Sequence, residues 1–187
     1  MSCPVSRGGN IFLWMPVEVR VMATLENIKA AFAGESQANR KYLAFSEKAD
    51  KEGFKNVARL YRAASQAEAI HAKRELSVMG GIKKTAENLQ GSIAGETDEF
   101  TEMYPAFVEE AKKEGNSEAA VTFTHAMKAE QVHAGLYKKA LEAVLAGKDF
   151  DDAKVFLCPW CGNIEIGEAP EKCPICGEAG KNFIKVE

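Results

Sequence analysis

Three short motifs occur twice in this chain, in the same order and at nearly the same separation. Ala33-Gly34-Glu35-Ser36 returns as Ala94-Gly95-Glu96-Thr97, an offset of 61. Lys51-Glu52-Gly53 returns as Lys113-Glu114-Gly115, and Ala67-Glu68-x-x-His71 as Ala129-Glu130-x-x-His133, both at an offset of 62. A repeat of this kind predicts two copies of one structural unit. Helical patterning rich in Ala, Lys and Glu runs from Thr24 to about Lys51, about Phe54 to Met79, about Thr85 to Lys113, and Ser117 to just before Gly147. Thr24 and Ser117 are the expected N-caps, and Gly53, Gly80-Gly81, Gly115 and Gly147 the expected stops. Each copy is therefore a helix hairpin, with short loops that make its helices antiparallel. Pro105 lies inside the third stretch, where its missing N–H predicts a kink or local unwinding.

Glu68 and His71 are three apart on a helix and share a face, as do Glu130 and His133. Glu35 from the first helix and Glu96 from the third complete the set. Two divalent cations ask for about four carboxylate charges, bridging oxygens and one imidazole each. One Glu from each of two helices plus Glu-x-x-His from each of the others is the ligand pattern of ferritin-like di-iron and di-manganese carboxylate proteins. A lone Glu-x-x-His is usually a solvated pair. Here two copies occupy equivalent repeat positions, each preceded by a Glu on the helix before it, at offsets of 33 and 34. Glu99 lies one turn after Glu96 and has no counterpart in the first helix, where Ala38 stands. It reads either as an ordinary exposed carboxylate or as a residue that breaks the symmetry and gives one metal an extra oxygen ligand. Asp98 and Glu102 read as solvated, and His125 as packed or solvated. Tyr42 and Tyr104 lie seven and eight residues after Glu35 and Glu96. They read either as core aromatics or as phenols that hydrogen-bond a ligand carboxylate.

After Gly147 the composition changes. Residues 148–155 form a charged linker, and 156–187 are rich in Gly, Pro and Cys, with β-type pieces at 155–157 and 183–186. Cys158-Pro-Trp-Cys161-Gly and Cys173-Pro-Ile-Cys176-Gly are two C-x-x-C pairs with the stretch 162–172 between them. Four thiolates suit tetrahedral zinc or a single iron. A segment of about 30 residues cannot bury a sufficient core, so a metal must supply much of its folding energy. The spacing demands a metal without choosing between the two, and a structural zinc ribbon is the plain alternative. The di-metal site favours iron, because a redox-active pair needs an electron source. Phe156, Trp160 and Phe183 would shield such a centre.

Other classes are excluded by charge and hydropathy. The chain has 24 basic and 27 acidic residues, net −3, with no basic stripe, which argues against nucleic acid. No apolar run reaches the roughly 18 residues of a membrane span. The apolar run from Ile11 to Val17 is short, contains Pro16 and is followed by Glu18 and Arg20, a poor signal peptide. Residues 1–22 read as a leader before a physiological start at Met22, and Cys3 within it has no assigned role. Cysteines clustered at one end point to metal thiolates in a reducing cytoplasm.

Residues 23–187 resemble the rubrerythrin family. The resemblance rests on Gly34-Glu35-Ser36-Gln37-Ala38, Glu68-x-x-His71-Ala72-Lys73-Arg74, Gly95-Glu96-x-x-Glu99-x-Thr101-Glu102-Met103-Tyr104-Pro105, Glu130-x-x-His133 and the closing cysteine knuckles. It implies a mainly α chain: a ferritin-like four-helix bundle over 23–147, the linker 148–155, and a rubredoxin-like domain over 156–187. It also implies reduction of hydrogen peroxide to water in oxidative-stress defence. Glu68 and Glu130 would bridge two irons, Glu35 and Glu99 would hold one, and Glu96 with His133 the other. On reduction the first iron would move from Glu99 toward His71. Tyr42 and Tyr104 match tyrosines that stand behind the family's ligands. Electrons would enter at one iron held by Cys158, Cys161, Cys173 and Cys176, with zinc an alternative occupant as isolated. The donor would be a reductase or rubredoxin drawing on NAD(P)H. Because knuckle domains in the family commonly reach a neighbour's site, a homodimer or larger assembly is expected, and some relatives exchange helices between chains. The departures are the leader and the less acidic Ala69-Ile70 and Gln131-Val132 before the histidines. Competing expectations are a ferritin-like ferroxidase or iron buffer with a zinc ribbon, and a di-manganese catalase needing no external electrons.

Overall fold

The computed structural model describes residues 17–150 and 154–187, with side chains from residue 23 onward. Two compact units divide the chain, Met1–Ile82 and Lys83–Glu187. The boundary falls between the two repeats. The first unit is a hairpin of α1 (Val17–Lys51) and α2 (Lys55–Val78). The second holds α3 (Thr85–Asp98), a π-helical turn (Glu99–Met103), α4 (Tyr104–Lys113) and α5 (Ser117–Leu145), followed by the cysteine segment. Residues 1–16 of the expected leader, Cys3 among them, lie outside the described residues. Helix α1 begins at Val17 rather than at Thr24. From Val17 to Ala33 no Gly or Pro interrupts it, so Thr24 is a helix-interior residue and not the expected cap.

The two hairpins turn in the same way. Gly53 takes φ +88° while Phe54 N–H donates to Ala49 O at 2.9 Å; Gly115 takes φ +71° while Asn116 N–H donates to Ala111 O at 2.8 Å. A left-handed residue just past the helix end, followed by this long backward bond, satisfies the last carbonyls and calls for glycine. The cap of α5 is Asn116, one residue before the expected Ser117. Its backbone is still non-helical and its Oδ1 accepts from Ala119 N–H at 3.1 Å.

Packing repeats as well. Ser46 and Val108, Ala49 and Ala111, and Ala72 and Ala134 are buried pairs related by the same offset of 62. The small side chains let each hairpin's helices approach closely. Tyr42, Phe45 and Tyr61 cluster with ring centroids 5.7 to 6.4 Å apart. Their counterparts Tyr104, Phe107 and Phe123 cluster at 5.6 to 6.2 Å. A two-helix layer covers only one face of each helix, and Phe54, Leu60 and Ile70 are exposed on the first hairpin.

The π turn accounts for the one-residue drift of the repeat. Glu35 matches Glu96 at an offset of 61, but Tyr42 matches Tyr104 at 62. The extra residue is absorbed where Tyr104 N–H donates to Glu99 O, five residues back. In an unbroken α-helix it would rotate all that follows by about 100°. The wide turn keeps Tyr104 and Phe107 against Phe123 as Tyr42 and Phe45 lie against Tyr61. The departure expected around Pro105 is thus found just before it, and Pro105 sits in the first turn of α4, where its lost N–H costs least.

The C-terminal segment forms a three-stranded antiparallel sheet in the order β2-β1-β3. Val155 in β1 (Val155–Leu157) pairs with Ile166 in β2 (Ile164–Ile166) and with Val186 in β3 (Ile184–Val186). Strand β2 is too short for its periodicity to show in the sequence. Phe150, Leu136, Ala143 and Ile166 line a cavity between α5 and β2. Among the described residues, no helix is long and apolar enough to cross a membrane.

Replacing Ala49 or Ala111 with Leu should destabilise the metal-loaded protein by about 1–3 kcal/mol through overpacking. Chemical denaturation measures this, and near-neutral substitutions would show that these positions are not close helix contacts.

Candidate metal centres

Each hairpin gathers three of the predicted ligands. On the first, Glu35 of α1 meets Glu68 and His71 of α2; on the second, Glu96 of α3 meets Glu130 and His133 of α5. Within each triad the ligand atoms lie within 4.8 Å of one another. His71 Nδ1 is 3.1 Å from Glu68 Oε2 and 3.8 Å from Glu35 Oε1. His133 Nδ1 is 2.6 Å from Glu130 Oε2. Glu99 lies outside the second triad. Burial raises its pKa first, and the Glu130 charge adds to this, which puts Glu99 beside the triad.

The carboxylates are crowded in a way a cation would relieve. Hydrogen bonding between Glu35 and Glu68 holds the first above the usual carboxylate range and the second below it, as for two groups sharing one proton. Burial, then hydrogen bonding to Glu130, pushes Glu96 up to about 7. A divalent ion would replace such shared protons, so these residues fit a metal.

The two histidines are not equivalent. His71 is 55% exposed and His133 only 16%. His133 Nε2 donates to Gly162 O at 2.9 Å, which places a ring proton on Nε2 and turns Nδ1 toward Glu130. Lone pairs on Nδ1 and Oε2 only 2.6 Å apart require a proton or a metal between them. Gly162 follows Cys161, so this bond ties the first cysteine knuckle to a predicted ligand of the same chain.

Tyr104 stands beside the second triad: burial raises its phenol, and the charges of Glu130, Glu99 and Glu96 raise it further. Tyr42 packs in the aromatic cluster of the first hairpin. Two neighbours escaped the sequence reading. Tyr137 is raised by burial and then by Glu96 and Glu130, while Glu75 adds its charge to Glu35 and has a buried Oε2 without a hydrogen-bond partner. A regularity could have found them, since Tyr42, Glu75 and Tyr137 each lie seven residues after a ligand Glu and Tyr104 lies eight after one. His125 joins no metal-binding group among the described residues and instead lines a crevice with Thr122, Ala126, Trp160 and Cys161.

The four cysteines converge. Cys158 Sγ is 3.6 Å from Cys176 Sγ, and Cys161 Sγ is 3.5 Å from Cys173 Sγ. A tetrahedron with metal–sulfur bonds of about 2.3 Å has edges of roughly 3.8 Å, so four thiolates fit around one ion. The knuckles are built alike: Gly162 N–H donates to Cys158 O at 3.0 Å and Gly177 N–H to Cys173 O at 2.9 Å. Burial raises the Cys161 thiol. Burial also opposes ionisation of Cys173, but hydrogen bonds from the backbone of Cys176 and Ile175 bring it below its ordinary value, as suits a thiolate ligand.

Helical carboxylate–imidazole triads with a four-thiolate knuckle define the class, a ferritin-like di-metal protein carrying a rubredoxin-like domain. A family model for rubrerythrin matches residues 26–141. The chain is 42% identical to nigerythrin of Nitratidesulfovibrio vulgaris over 170 residues, covering 83% of each. It is 35% identical to rubrerythrin-2 of Clostridium acetobutylicum over 181 residues, covering 89% of this chain and 98% of that one. Solved structures of nigerythrin in a mixed-valent state and in a fully reduced, all-ferrous state match with TM-scores of 0.51, at 42% and 41% identity, over 87% of this chain and 86% of theirs. The chain belongs to the rubrerythrin family, di-iron oxidoreductases of oxidative-stress defence.

The raised Glu96 has a consequence for pH. Its folded pKa of about 7 lies above the ordinary 4.5, so the metal-free fold loses stability as pH rises between these values. Metal binds the ionised form, so apparent affinity should fall as pH drops through about 7, with protons released on binding. Calorimetric zinc titrations in buffers of different ionisation enthalpy measure this, and pH-independent affinity would contradict it. Deleting Thr101 restores the seven-residue Glu-to-Tyr spacing of the first hairpin. Circular dichroism should stay almost unchanged while metal uptake at the second triad weakens, and unaltered uptake would show that the π turn serves no ligand.

Proposed function

We propose that this chain is a non-haem di-iron peroxidase that reduces hydrogen peroxide to water, with electrons entering through an iron at the four cysteines. In this reading residues 23–147 carry the di-iron site and 156–187 the rubredoxin-like centre, joined by 148–155. The observation that carries the reading is the asymmetry of the repeat. One hairpin gains Glu99 through a π turn, and the other presents an exposed, unanchored His71. A storage protein needs neither. Nigerythrin, described in mixed-valent and all-ferrous states, shows that a relative of this chain changes iron valence.

The bound iron pair would supply the two electrons that peroxide reduction needs. Glu68 and Glu130 are assigned as bridging carboxylates, Glu35 and Glu99 to one iron, and Glu96 with His133 to the other. His133 is held through Nε2 by Gly162 O, which would orient its Nδ1 as the nitrogen that holds an iron. His71 faces only carboxylates and is more than half exposed, so its ring would be free to serve as an alternative ligand to Glu99 for the first iron. Exchanging a carboxylate for a neutral imidazole lowers the local negative charge, which suits the ferrous state. Tyr104, which stands beside the second triad, and Tyr42 are assigned as phenols that would hydrogen-bond a ligand carboxylate. With both sites loaded, Cys161, the Gly162 carbonyl and His133 would link the cysteine-held iron to the di-iron site within one chain. The donor is assigned to an NAD(P)H-linked reductase or rubredoxin, the compartment to the cytoplasm, and the assembly to a homodimer or larger.

Anaerobic purification, metal analysis per chain and stepwise reduction test the assignment. Peroxide should reoxidise a reduced di-iron site and then, through it, restore the ferric-thiolate colour of the knuckle. Zinc-only knuckles with no peroxide reoxidation would replace this reading with a ferroxidase or iron buffer. Glu99→Ala should slow peroxide turnover roughly tenfold or more while leaving the knuckle spectrum intact; unchanged turnover would return Glu99 to the solvated surface.

A further inference from the structure

The hairpins are copies, yet one turn away from the ligands they are fastened differently. In the first, Asn39 lies four residues after Glu35 on α1, and Ser65 lies three residues before Glu68 on α2. Asn39 Nδ2 donates to Ser65 O at 2.7 Å and to Ser65 Oγ at 3.0 Å. Ser65 Oγ in turn donates to Asn39 O at 2.9 Å. Each side chain therefore reaches the backbone of the opposite helix, and Ser65 is buried. A slip of one helix past the other by about 1.5 Å, the rise of a single residue, would disrupt all three bonds together.

The second hairpin lacks this fastening. Asn39 falls where the offset changes from 61 to 62, opposite Phe100 and Thr101, and the counterpart of Ser65 is Met127. Thr101 Oγ1 donates to Thr97 O of its own chain segment at 2.8 Å, and Met127 has no donor group. The π turn lies at this level instead.

We propose that Asn39 and Ser65 are positioning residues for the metal ligands of the first hairpin. They lock the axial register of α1 against α2, so Glu35 stays opposite Glu68 and His71 at metal-binding distance. The second hairpin, without the lock, keeps an adjustable ligand-bearing turn. The inference rests on the reading of Glu35, Glu68 and His71 as metal ligands. An axial slip would carry Glu35 away from His71 Nδ1, already 3.8 Å distant.

The test uses the full chain and cobalt(II) under anaerobic conditions. Thiolate-to-cobalt charge transfer reports the knuckle, and the weaker d–d bands report the carboxylate–imidazole sites. Asn39→Ala and Ser65→Ala should each weaken cobalt binding at the carboxylate sites about tenfold and alter the d–d bands, without changing the thiolate band. Ser65→Thr keeps the hydroxyl and should bind nearly as the parent does. The double Asn39→Ala, Ser65→Ala variant should be little worse than either single one, since the bonds act as a unit. Variants with a lowered melting temperature but unchanged affinity and d–d bands would show a merely structural role and overturn the proposal. If Asn39→Ala fails to fold, the comparison of Ser65→Ala with Ser65→Thr decides. Parent protein that takes up no cobalt beyond the knuckle would refute the ligand reading itself; parental uptake with unchanged variants would refute only the lock.

Discussion

Like-charged carboxylates held together on paired helices are the constraint around which this chain is built. Glu35 opposite Glu68, and Glu96 opposite Glu130, repel when both are ionised, and burial raises the cost for Glu96. The helices can tolerate this only because small side chains and aromatic clusters fasten each hairpin elsewhere, at Ala49 and Ala111, at Ala72 and Ala134, and through the rings around Tyr61 and Phe123. The strain is local, and a cation is the partner that removes it. Metal sites and hairpin packing are thus two halves of one arrangement. The packing holds the charges close, and the ion makes their closeness favourable.

Duplication alone would produce two identical half-sites, whose ions would experience the same ligands. The π turn changes that with one inserted residue. It admits Glu99 beside Glu96 without turning Tyr104 and Phe107 away from Phe123. An insertion in a plain helix would have sacrificed one or the other. The wide turn therefore adds a ligand candidate while preserving the packing that the repeat already specified.

Much of this was legible in the sequence because the repeat counts as two readings of one hairpin. The triads, the helix ends at Gly53 and Gly115, and the four-cysteine cluster follow from spacing and residue type. Boundaries set by weaker signals were not legible. Thr24 resembled a cap, yet no breaker stood before it until Pro16, and Ser117 competed with Asn116 one residue earlier. The one-residue drift of the repeat marked an insertion but could not show whether a loop or a helix absorbed it. Glu75 and Tyr137 went unnoticed because their link to the ligands is a two-turn spacing, seen only once the helices are built. The Gly162–His133 hydrogen bond joins groups far apart in the chain and involves a backbone carbonyl, which no side-chain pattern announces.

That bond orders the site's chemistry. A carbonyl can only accept, so His133 Nε2 carries a proton, and Nδ1 is the nitrogen left to face Glu130 and a metal. The same contact makes the knuckle part of the environment of the His133 imidazole. His71, more than half exposed and paired through Nδ1 only with carboxylates, has no such constraint on its ring. The pseudo-symmetric histidines are therefore distinct before any metal binds: one ring is held by a backbone carbonyl as well as a carboxylate, and the other faces carboxylates alone.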